Sequence, residues 1–379
     1  HPIAKQAQLK LTKGEATILK ARGGFDPKLE ANYSTKQFKT QNYWETLKST
    51  FTIPTWFGVE FKAEFEQNTG DFLNPQLSVP QNGLYNIGVA VPVGQGLLIN
   101  ERMAALKQAK YFKTQTQAER DLLLNQLLFE ASKAYIKWVE AYNEQTLYNT
   151  FITQAKIRYQ SVARSVEEGD KAAIDSTEAK INLDNRLLDL ESARLKTRQA
   201  ALELSNFLWF QEVPIEVKPE VIPLPPTVQQ LSDALYLDQL AGQSNALTEH
   251  PKLQWLNAQV NSLEVARKLS INKLLPKLDL QYFFVTPDVQ FPSTVLQNNY
   301  KAGLQFKLPL FLRKERANVK LANVQLQETR FEQVATEVKL QNKINAVEAE
   351  LETLSVQNQQ IEAIVASYKQ LLTAELRKS

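Results

Sequence analysis

The residues that usually carry chemistry are scarce in this chain. It has no Cys, two His and one Met among 379 residues, so thiolate nucleophiles and disulfides are excluded and soft-metal sites are poorly supplied. Each His precedes a Pro, at 1–2 and at 250–251, which is ordinary for the start of a helix. No serine-hydrolase, dinucleotide, P-loop or zinc-protease motif occurs. The sequence therefore predicts no catalytic, cofactor-binding or metal site, and no enzyme.

The overall composition is near neutral in charge and moderately apolar. Lys and Arg number 44 against 41 Asp and Glu, and 43% of the residues are hydrophobic. This charge balance gives no reason to expect nucleic acid as a partner, and the apolar fraction is too high for a disordered chain. No stretch reaches about 18 apolar residues, so the sequence excludes a membrane-spanning helix.

Two long tracts lack the residues that end helices. No Pro occurs between residues 93 and 213, and residues 310–379 contain neither Pro nor Gly. Both tracts are rich in Ala, Leu, Gln, Glu, Lys and Arg, which favour helix. We therefore predict a helix over 97–167, about 100 Å long at 1.5 Å per residue, followed by a return helix over 174–210. A second long helix is predicted at 312–379.

Apolar residues recur along these tracts with the spacing of a coiled coil. The first stripe is Leu124, Leu128, Ala131, Tyr135, Trp138 and Tyr142. The second is Ile174, Ile181, Leu188, Leu195 and Leu202. The third is Ile344, Val347, Leu351, Leu354, Ile361, Val365, Tyr368 and Leu372. A 3.5-residue period keeps one stripe facing a partner helix along a supercoil, so each stripe is predicted to face another helix.

Elsewhere in the chain apolar residues alternate with polar ones. Four segments have this two-residue period, at 27–38, 85–91, 276–285 and 300–308. Alternation of this kind marks strands with one apolar face and one polar face. Each strand is predicted to have about nine to eleven residues, the length that crosses a bilayer when the strand is tilted.

Residues 40–80 add further strand-like alternation, at Phe57, Val59, Phe61, Ala63 and Phe65. This region fits either spanning strands or an external hairpin, and the pattern does not choose between them. Four aromatic residues form either an interfacial belt or ordinary packing in a soluble sheet: Tyr43, Trp44, Trp56 and Tyr85. We favour the belt.

The chain contains one unit used twice. Residues 1–33 align with 250–282 without a gap, and His-Pro opens both segments. The string Pro-Lys-Leu at 27–29 recurs at 276–278, and Tyr33 matches Tyr282. The repeated unit is a helix, a strand, a loop, a second strand and a long helix. The length alone would suggest several unrelated domains, and the repeat shows that this interpretation would be wrong.

Four predicted strands cannot close a barrel, because the smallest spanning barrels have eight. An open sheet edge in lipid leaves unpaired backbone groups at several kcal/mol each, so strands that enter a membrane must be shared between chains. The apolar face then meets lipid, at Leu29, Ala31, Tyr33, Leu278, Leu280 and Tyr282. The polar face lines a wet lumen, at Glu30, Asn32, Asp279, Gln281, Lys301, Gln305 and Lys307.

The order of elements and several local strings resemble the TolC-like outer-membrane factors of Gram-negative bacteria. The strings are HPKLQWLNAQVNSLEVARKLSINKLLPKLDLQYFF, YKAGLQFKLPLFLRKERANVKLANVQL and AKIRYQSVARSVEEGDKAAIDSTEAKINL. The resemblance implies a homotrimer in which three chains share a twelve-stranded barrel continuous with a periplasmic tunnel of twelve helices. It also implies outer-membrane lipid as surroundings, and a periplasmic adaptor and an inner-membrane pump as partners. Nucleic acid is not expected.

The resemblance assigns each predicted segment to a part of such a channel. The first repeat is 1–213, with a helix at 1–24, barrel strands and an extracellular loop at 25–96, and a helical hairpin at 97–210 whose tip is near 169. A Pro-rich linker follows at 214–230. The second repeat is 231–379, with helices at 231–274, barrel strands at 275–311 and the long helix at 312–379, and its return helix is missing from the sequence.

The hairpin tip contains the candidate partner-binding residues, Glu168, Gly169, Asp170 and Lys171. By resemblance they form the periplasmic end of the tunnel and contact the adaptor; the alternative is a plain helical hairpin with Gly after the helix. Asp175 is a candidate for the entrance gate, or an acidic residue favoured by the helix dipole. The family commonly has a Val-Gly-Leu string at this tip, and Glu-Gly-Asp replaces it here.

The sequence leaves one rival function, a soluble periplasmic adaptor or coiled-coil scaffold. Adaptors also combine long helical hairpins with β modules. They usually have a single hairpin flanked by strands, whereas this chain repeats a strand–strand–helix unit. We therefore predict a passive export duct of a tripartite efflux or type I secretion system, mainly helical with a transmembrane β part.

Overall fold

The computed structural model describes residues 1–235, 247, 249–287 and 299–378. The chain forms two compact units. One consists of His1–Leu11 with Glu119–Ala246, and the other of Thr12–Ala118 with Leu247–Ser379. Parts of three predictions lie outside the described residues: 236–246 and 248 in the predicted helices at 231–274, 288–298 in the predicted strands at 275–311, and 379 in the predicted long helix at 312–379.

The three longest helices of the described chain follow the tracts that lack Pro and Gly. In the first repeat the helices are α1 (Pro2–Arg22), α2 (Glu101–Glu167) and α3 (Ala173–Ser205). In the second repeat they are α4 (Val228–Leu235), α5 (Pro251–Asn272) and α6 (Arg313–Lys378). With 67 and 66 residues, α2 and α6 are far longer than the 11–12 residues of an average helix.

One sheet contains all the long strands of the described chain. They are β1 (Lys28–Phe38), β2 (Gln41–Pro54), β3 (Glu60–Thr69), β4 (Leu84–Pro92), β7 (Lys277–Thr286) and β8 (Tyr300–Lys307), hydrogen-bonded in that order. Every neighbouring pair is antiparallel. A separate pair of two-residue strands, β5 (Trp209–Phe210) and β6 (Val213–Pro214), follows α3.

The sheet corrects the predicted number of strands from four to six. Residues 40–80, which the sequence left unplaced, supply β2 and β3 between β1 and β4. A two-residue turn joins β1 to β2, and its residues Lys39 and Thr40 both have positive φ, the conformation that matches the twist of antiparallel strands. Gly58, with φ of 81°, occurs in the turn between β2 and β3.

The core between α2 and α3 is built largely from small side chains. Ala134, Trp138 and Ala141 of α2 pack with Ala200, Ala201 and Leu204 of α3 and with Val217 of the linker. Ion pairs flank this core, Lys137 with Glu203 at 2.6 Å and Lys196 with Glu144 at 2.9 Å. Because Ala lets helix axes approach closely, α3 folds back against α2 along the whole cluster.

The second predicted stripe does not face α2. All five of its residues are exposed, from Ile174 (62%) to Leu202 (43%), and the Ala-rich face of α3 is buried instead. The third stripe, on α6, is exposed as well. The heptad pattern therefore found apolar stripes correctly, but these two have no partner helix within the described part of one chain.

In the other unit, α5 packs against the first part of α6. Arg267 Nε donates to Asn323 Oδ1 at 2.7 Å, and Arg330 pairs with Glu264 at 2.8 Å. Apolar residues are buried on both helices, at Leu253, Leu256, Val260, Val265, Ala322 and Leu326. This packing positions the chain entering β7 and leaving β8.

Candidate functional site

All seven polar strand residues singled out from the sequence lie on one face of the sheet. Residues opposite each other on neighbouring strands share a face. Glu30 is opposite Thr50, which is opposite Glu64, which is opposite Asn86. On the other strands the same face holds Asn32, Asp279, Gln281, Lys301, Gln305 and Lys307. We call this the polar face.

The polar face is concave. Lys301 of β8 and Glu66 of β3 are three strand spacings apart, about 14 Å in a flat sheet. Their Nζ and Oε1 atoms approach to 3.6 Å. On β4 and β7 the side chains of this face are enclosed, whereas Ile87 and Tyr282 on the opposite face of the same strands are 37% and 39% exposed. At the bottom of the curve Asn86 is fully buried and Phe283 is 4% exposed. Such curvature is what a segment of a barrel wall has.

A charged network crosses this concave surface. Lys48 Nζ donates to Glu64 Oε2 at 2.9 Å and to Glu66 Oε1 at 3.2 Å. The amide nitrogen of Asn86 donates to Glu66 Oε1 at 3.3 Å, while its buried Oδ1 has no hydrogen-bond partner among the described residues. The network joins β2, β3, β4 and β8, so it stabilises the curve with charges on the inner side.

Sequence analysis missed the residues at the centre of this network, Lys48, Glu64 and Glu66. The signal was present in the string Glu60-Phe-Lys-Ala-Glu-Phe-Glu66, which alternates without interruption. It was not assigned because no partner strand could be identified for it from one sequence. The observed register supplies the partner, with Lys48 directly opposite Glu66.

The opposite, convex face is apolar on every strand and largely open. The sequence predicted Leu29, Ala31, Tyr33, Leu278, Leu280 and Tyr282 for it, and Leu29 and Tyr33 are 76% and 63% exposed. β2 and β3 contribute Leu47, Ser49, Phe51, Ile53, Phe61, Ala63 and Phe65 to the same face. β8 adds Tyr300, Leu304 and Phe306, all exposed. We call this the apolar face.

Aromatic residues gather at the two ends of β2. At its start, Tyr43 stacks on Phe72 at 4.5 Å between ring centroids and meets Phe38 edge-on at 5.7 Å. Just beyond its end, Trp56 stacks on Phe25 at 5.7 Å. Two of the four residues proposed as a belt, Tyr43 and Trp56, thus lie at the ends of β2. Trp44 lies on the polar face and Tyr85 is level with Ser49 in the middle of β2, so the belt stays a prediction.

The turn between β2 and β3 is joined to the start of α2. Asn100 donates through Nδ2 to the carbonyl oxygen of Trp56 at 2.9 Å and accepts from the backbone N–H of Met103 at 2.8 Å. Arg102 donates to Glu60 Oε1 through both terminal nitrogens, at 3.0 and 2.9 Å. The hairpin is therefore fixed at the helical end of the sheet as well as within it.

The two His residues begin helices in the same way. The Nδ1 atom of His1 accepts from the N–H of Ile3, and that of His250 from the N–H of Lys252, both at 3.1 Å. Burial lowers the pKa of His250, and the charge of Lys343 acts in the same direction.

At the start of α2, a hydrogen bond from Lys273 lowers the pKa of Glu101.

The helical tip is a short exposed turn between α2 and α3. The N–H of Asp170 donates to the carbonyl of Ser165 at 2.9 Å, and that of Gly169 to the carbonyl of Val166 at 3.1 Å. Gly169 has φ of 86°, a conformation that glycine adopts without cost. Glu168, Asp170 and Lys171 are all exposed, so their side chains are open to a partner.

Asp175 lies in the first turn of α3 and is half-buried. Its N–H donates to the carbonyl of Ala172 at 3.0 Å. A carboxylate here favours the positive end of the helix dipole. This is the local role open to it in a single chain, and its role in a gate stays a prediction.

Two features are absent from the described residues. No helix there carries an apolar stretch that would cross a membrane. Over the same ranges, no three residues among His, Asp and Glu are grouped to hold a metal ion.

Comparison with solved structures shows the fold. Three similar structures are the outer membrane channel CmeC of Campylobacter jejuni, the transmembrane channel protein CusC, and the open state of the outer membrane channel MtrE of Neisseria gonorrhoeae. The sequence identities are 13%, 14% and 14%, and the TM-scores are 0.56, 0.57 and 0.53. These chains share the fold of TolC-like outer-membrane factors with the present one.

The match covers most of this chain and less of its relatives. It includes 89%, 95% and 90% of this chain, and 65%, 74% and 67% of CmeC, CusC and MtrE in that order. No protein-family model and no curated protein matches the sequence.

Proposed function

We propose that this chain is one subunit of an outer-membrane channel, in which three copies form a passive duct for export through the outer membrane and the periplasm. The observation that carries the proposal is the sheet itself. Its concave face is polar, its convex face is apolar and exposed, and both its edge strands are unpaired in the described chain. A wall segment between lipid and a wet lumen needs these three properties.

The unpaired edges argue for several copies in one ring. In lipid each unpaired backbone group costs several kcal/mol, so β1 of one copy needs a strand from the next. β1 and β8 run in opposite directions across the sheet, hence β8 of one copy meets β1 of another antiparallel. On the polar face this edge brings Glu30 towards Lys301 or Lys307, and opposite charges across strands are favourable.

The long helices form the periplasmic part of the duct in this proposal. The stripes of α3 and α6 that are exposed in one chain face helices of neighbouring copies. A heptad stripe that remains apolar over several turns is suited to that contact. The tip residues Glu168, Gly169, Asp170 and Lys171 then dock the periplasmic adaptor, and Asp175 contributes to the entrance gate.

The chain itself performs no chemistry in this account. It holds a polar passage open, and an inner-membrane pump supplies energy through the adaptor. The proposed setting is a tripartite efflux or type I secretion system in the outer membrane. The similar channel MtrE was solved in an open state.

The rival function, a soluble adaptor or scaffold, fits the helices but not the sheet. A soluble monomer rarely exposes a contiguous apolar patch beyond a few hundred Å². Here the apolar face extends across six strands, from Leu29 on β1 to Phe306 on β8.

Fractionation and particle mass test the proposed function together. Membranes of expressing cells are washed with carbonate, and the protein is then extracted in detergent and weighed. The proposal expects retention in the carbonate-washed membrane and a detergent particle containing three copies. Release by carbonate as a monomer would contradict it and favour the soluble rival.

A further inference from the structure

We infer that β2 and β3 are part of the membrane wall, so that each chain contributes six strands and a ring of three copies has eighteen. This inference rests on the proposed function and goes beyond it, because the resemblance to known channels implied twelve strands. The resulting pore is wider. Barrel diameter grows roughly in proportion to strand number, so the ring would be about half again as wide as one of twelve strands.

The first argument is the order of the strands. β1 pairs with β2 along its whole length, from Lys28 opposite Thr52 to Phe38 opposite Gln41. β3 in turn pairs with β4, with Glu60 opposite Ala90. β1 and β4 are not neighbours in the sheet. A ring that left out β2 and β3 would therefore have to separate β1 from the rest of its own sheet.

The second argument is that β2 and β3 match their neighbours on both faces. Outward, Phe51 and Phe61 continue the apolar face and are 40% and 51% exposed. Inward, Lys48 and Glu66 belong to the polar face and pair with each other, and Glu66 also pairs with Lys301 on the last strand. Both faces of a hairpin outside the membrane would meet water, so nothing would favour one apolar face and one charged face.

The third argument is the height of the hairpin. β2 has 14 residues, about 46 Å at 3.3 Å per residue. Tilted by about 45°, a strand of that length rises about 33 Å, close to the hydrocarbon thickness of a bilayer. Its lower turn is held by Asn100 and Arg102 at the start of α2. The strand thus runs from the helices to the far end of the sheet.

The number of strands in each chain allows an antiparallel ring to close. Six is an even number, so copies joined edge to edge alternate in direction throughout the ring. Bacterial barrels have even numbers of antiparallel strands, and barrels of 16 to 18 strands leave an aqueous channel. The lumen of such a ring is lined by Lys48, Glu64 and Glu66 in addition to the residues singled out from the sequence.

Site-specific fluorescence in liposomes tests the inference. These 379 residues contain no Cys, so single cysteines introduced into them can be labelled without background. The outward positions are Ser49→Cys on β2, Ala63→Cys on β3 and Ala302→Cys on β8, and the inward control is Thr50→Cys on β2. Each full-length variant is labelled, reconstituted, and quenched either by a lipid-borne quencher or by aqueous iodide. All four changes are small, so folding should be preserved.

The inference expects a loss of emission with the lipid-borne quencher at positions 49, 63 and 302, and with iodide at position 50. If position 302 is quenched from lipid while 49 and 63 are quenched only by iodide, the hairpin lies outside the wall. The eighteen-stranded ring is then overturned and the proposed channel stands. If position 302 also fails to meet lipid, the proposed function fails and this inference with it.

Discussion

The two predicted repeats begin alike and differ in the sheet. Both open with a His-Pro pair whose imidazole accepts from a backbone N–H at 3.1 Å, and both continue through a strand to a helix of 66 or 67 residues. The first repeat contributes four strands to the sheet, whereas the second contributes two. The difference is the hairpin of β2 and β3, which also carries three of the charged residues at the centre of the polar face. The hairpin that supplies these central charges therefore lies outside the predicted repeat.

A charge placed on the apolar face should reveal whether the two repeats meet lipid equally. Ala63→Arg on β3 and Ala302→Arg on β8 are both outward and near mid-strand. Near the membrane midplane each should lower the free energy of unfolding by about 2–4 kcal/mol, measured by denaturant titration in vesicles. Thr50→Arg, on the polar face, is the control and should cost much less. A negligible loss for Ala63→Arg beside a large one for Ala302→Arg would place the hairpin in water.

Removing the central carboxylate should destabilise the sheet more than removing one from a loop. Glu66→Gln takes away the charge that Lys48, Lys301 and Asn86 share. Because the site is largely buried, the free energy of unfolding should fall by about 1–3 kcal/mol. The matched variant Asp71→Asn, in the exposed loop between β3 and β4, should change it by less than about 0.5 kcal/mol. Equal effects would show that the network does not hold the curve.

Asn100 both joins the hairpin to α2 and caps that helix, and its two contributions to stability should be measurable separately. Asn100→Ala removes both the cap of α2 and the donor to Trp56, and should cost about 1–2 kcal/mol. Asn100→Asp keeps the accepting oxygen and loses only the donor, so its difference from the unchanged protein measures the bond to Trp56, and its difference from Asn100→Ala measures the cap. Thermal unfolding of each variant provides the comparison. If Asn100→Asp matches the unchanged protein, the bond to Trp56 contributes nothing.

The smallest expected effect concerns the two His caps. Burial lowers the pKa of His250 below its usual 6.5, so the folded state binds a proton less readily than the unfolded chain. The stability that this contributes is present above about pH 6.5 and is lost as the pH falls through that value towards the folded pKa. His250→Asn should keep the cap without the titration. An NMR titration placing the pKa of His250 above 6.5 would reverse the sign.

Much of the fold was predictable because helices and strands leave periodic signals. The Pro-free tract predicts a helix ending at residue 167, where α2 ends, and alternation predicts a strand starting at Tyr300, where β8 starts. The heptad period of an apolar stripe does not identify the helix that packs against that stripe. Ile174 and Leu188 have the heptad spacing but are exposed, whereas Ala200 and Ala201 on another face of α3 pack against α2.

The candidate site was predictable as a face but not as a network. Period-two alternation puts Glu30 and Lys301 on the polar side of their strands without any knowledge of pairing. The contact between Lys301 and Glu66 depends on the order of the strands and on their curvature, which no local pattern contains. The roles of the tip and of Asp175 depend on other chains, and they stay predictions.

Imaging of the detergent-extracted particle tests the central claim most directly, since it counts copies and strands together. The account predicts a threefold ring of eighteen strands, with the apolar face outward in the detergent belt and the long helices projecting from one side. A particle of one copy, with its apolar face covered by its own chain and away from detergent, would contradict the account.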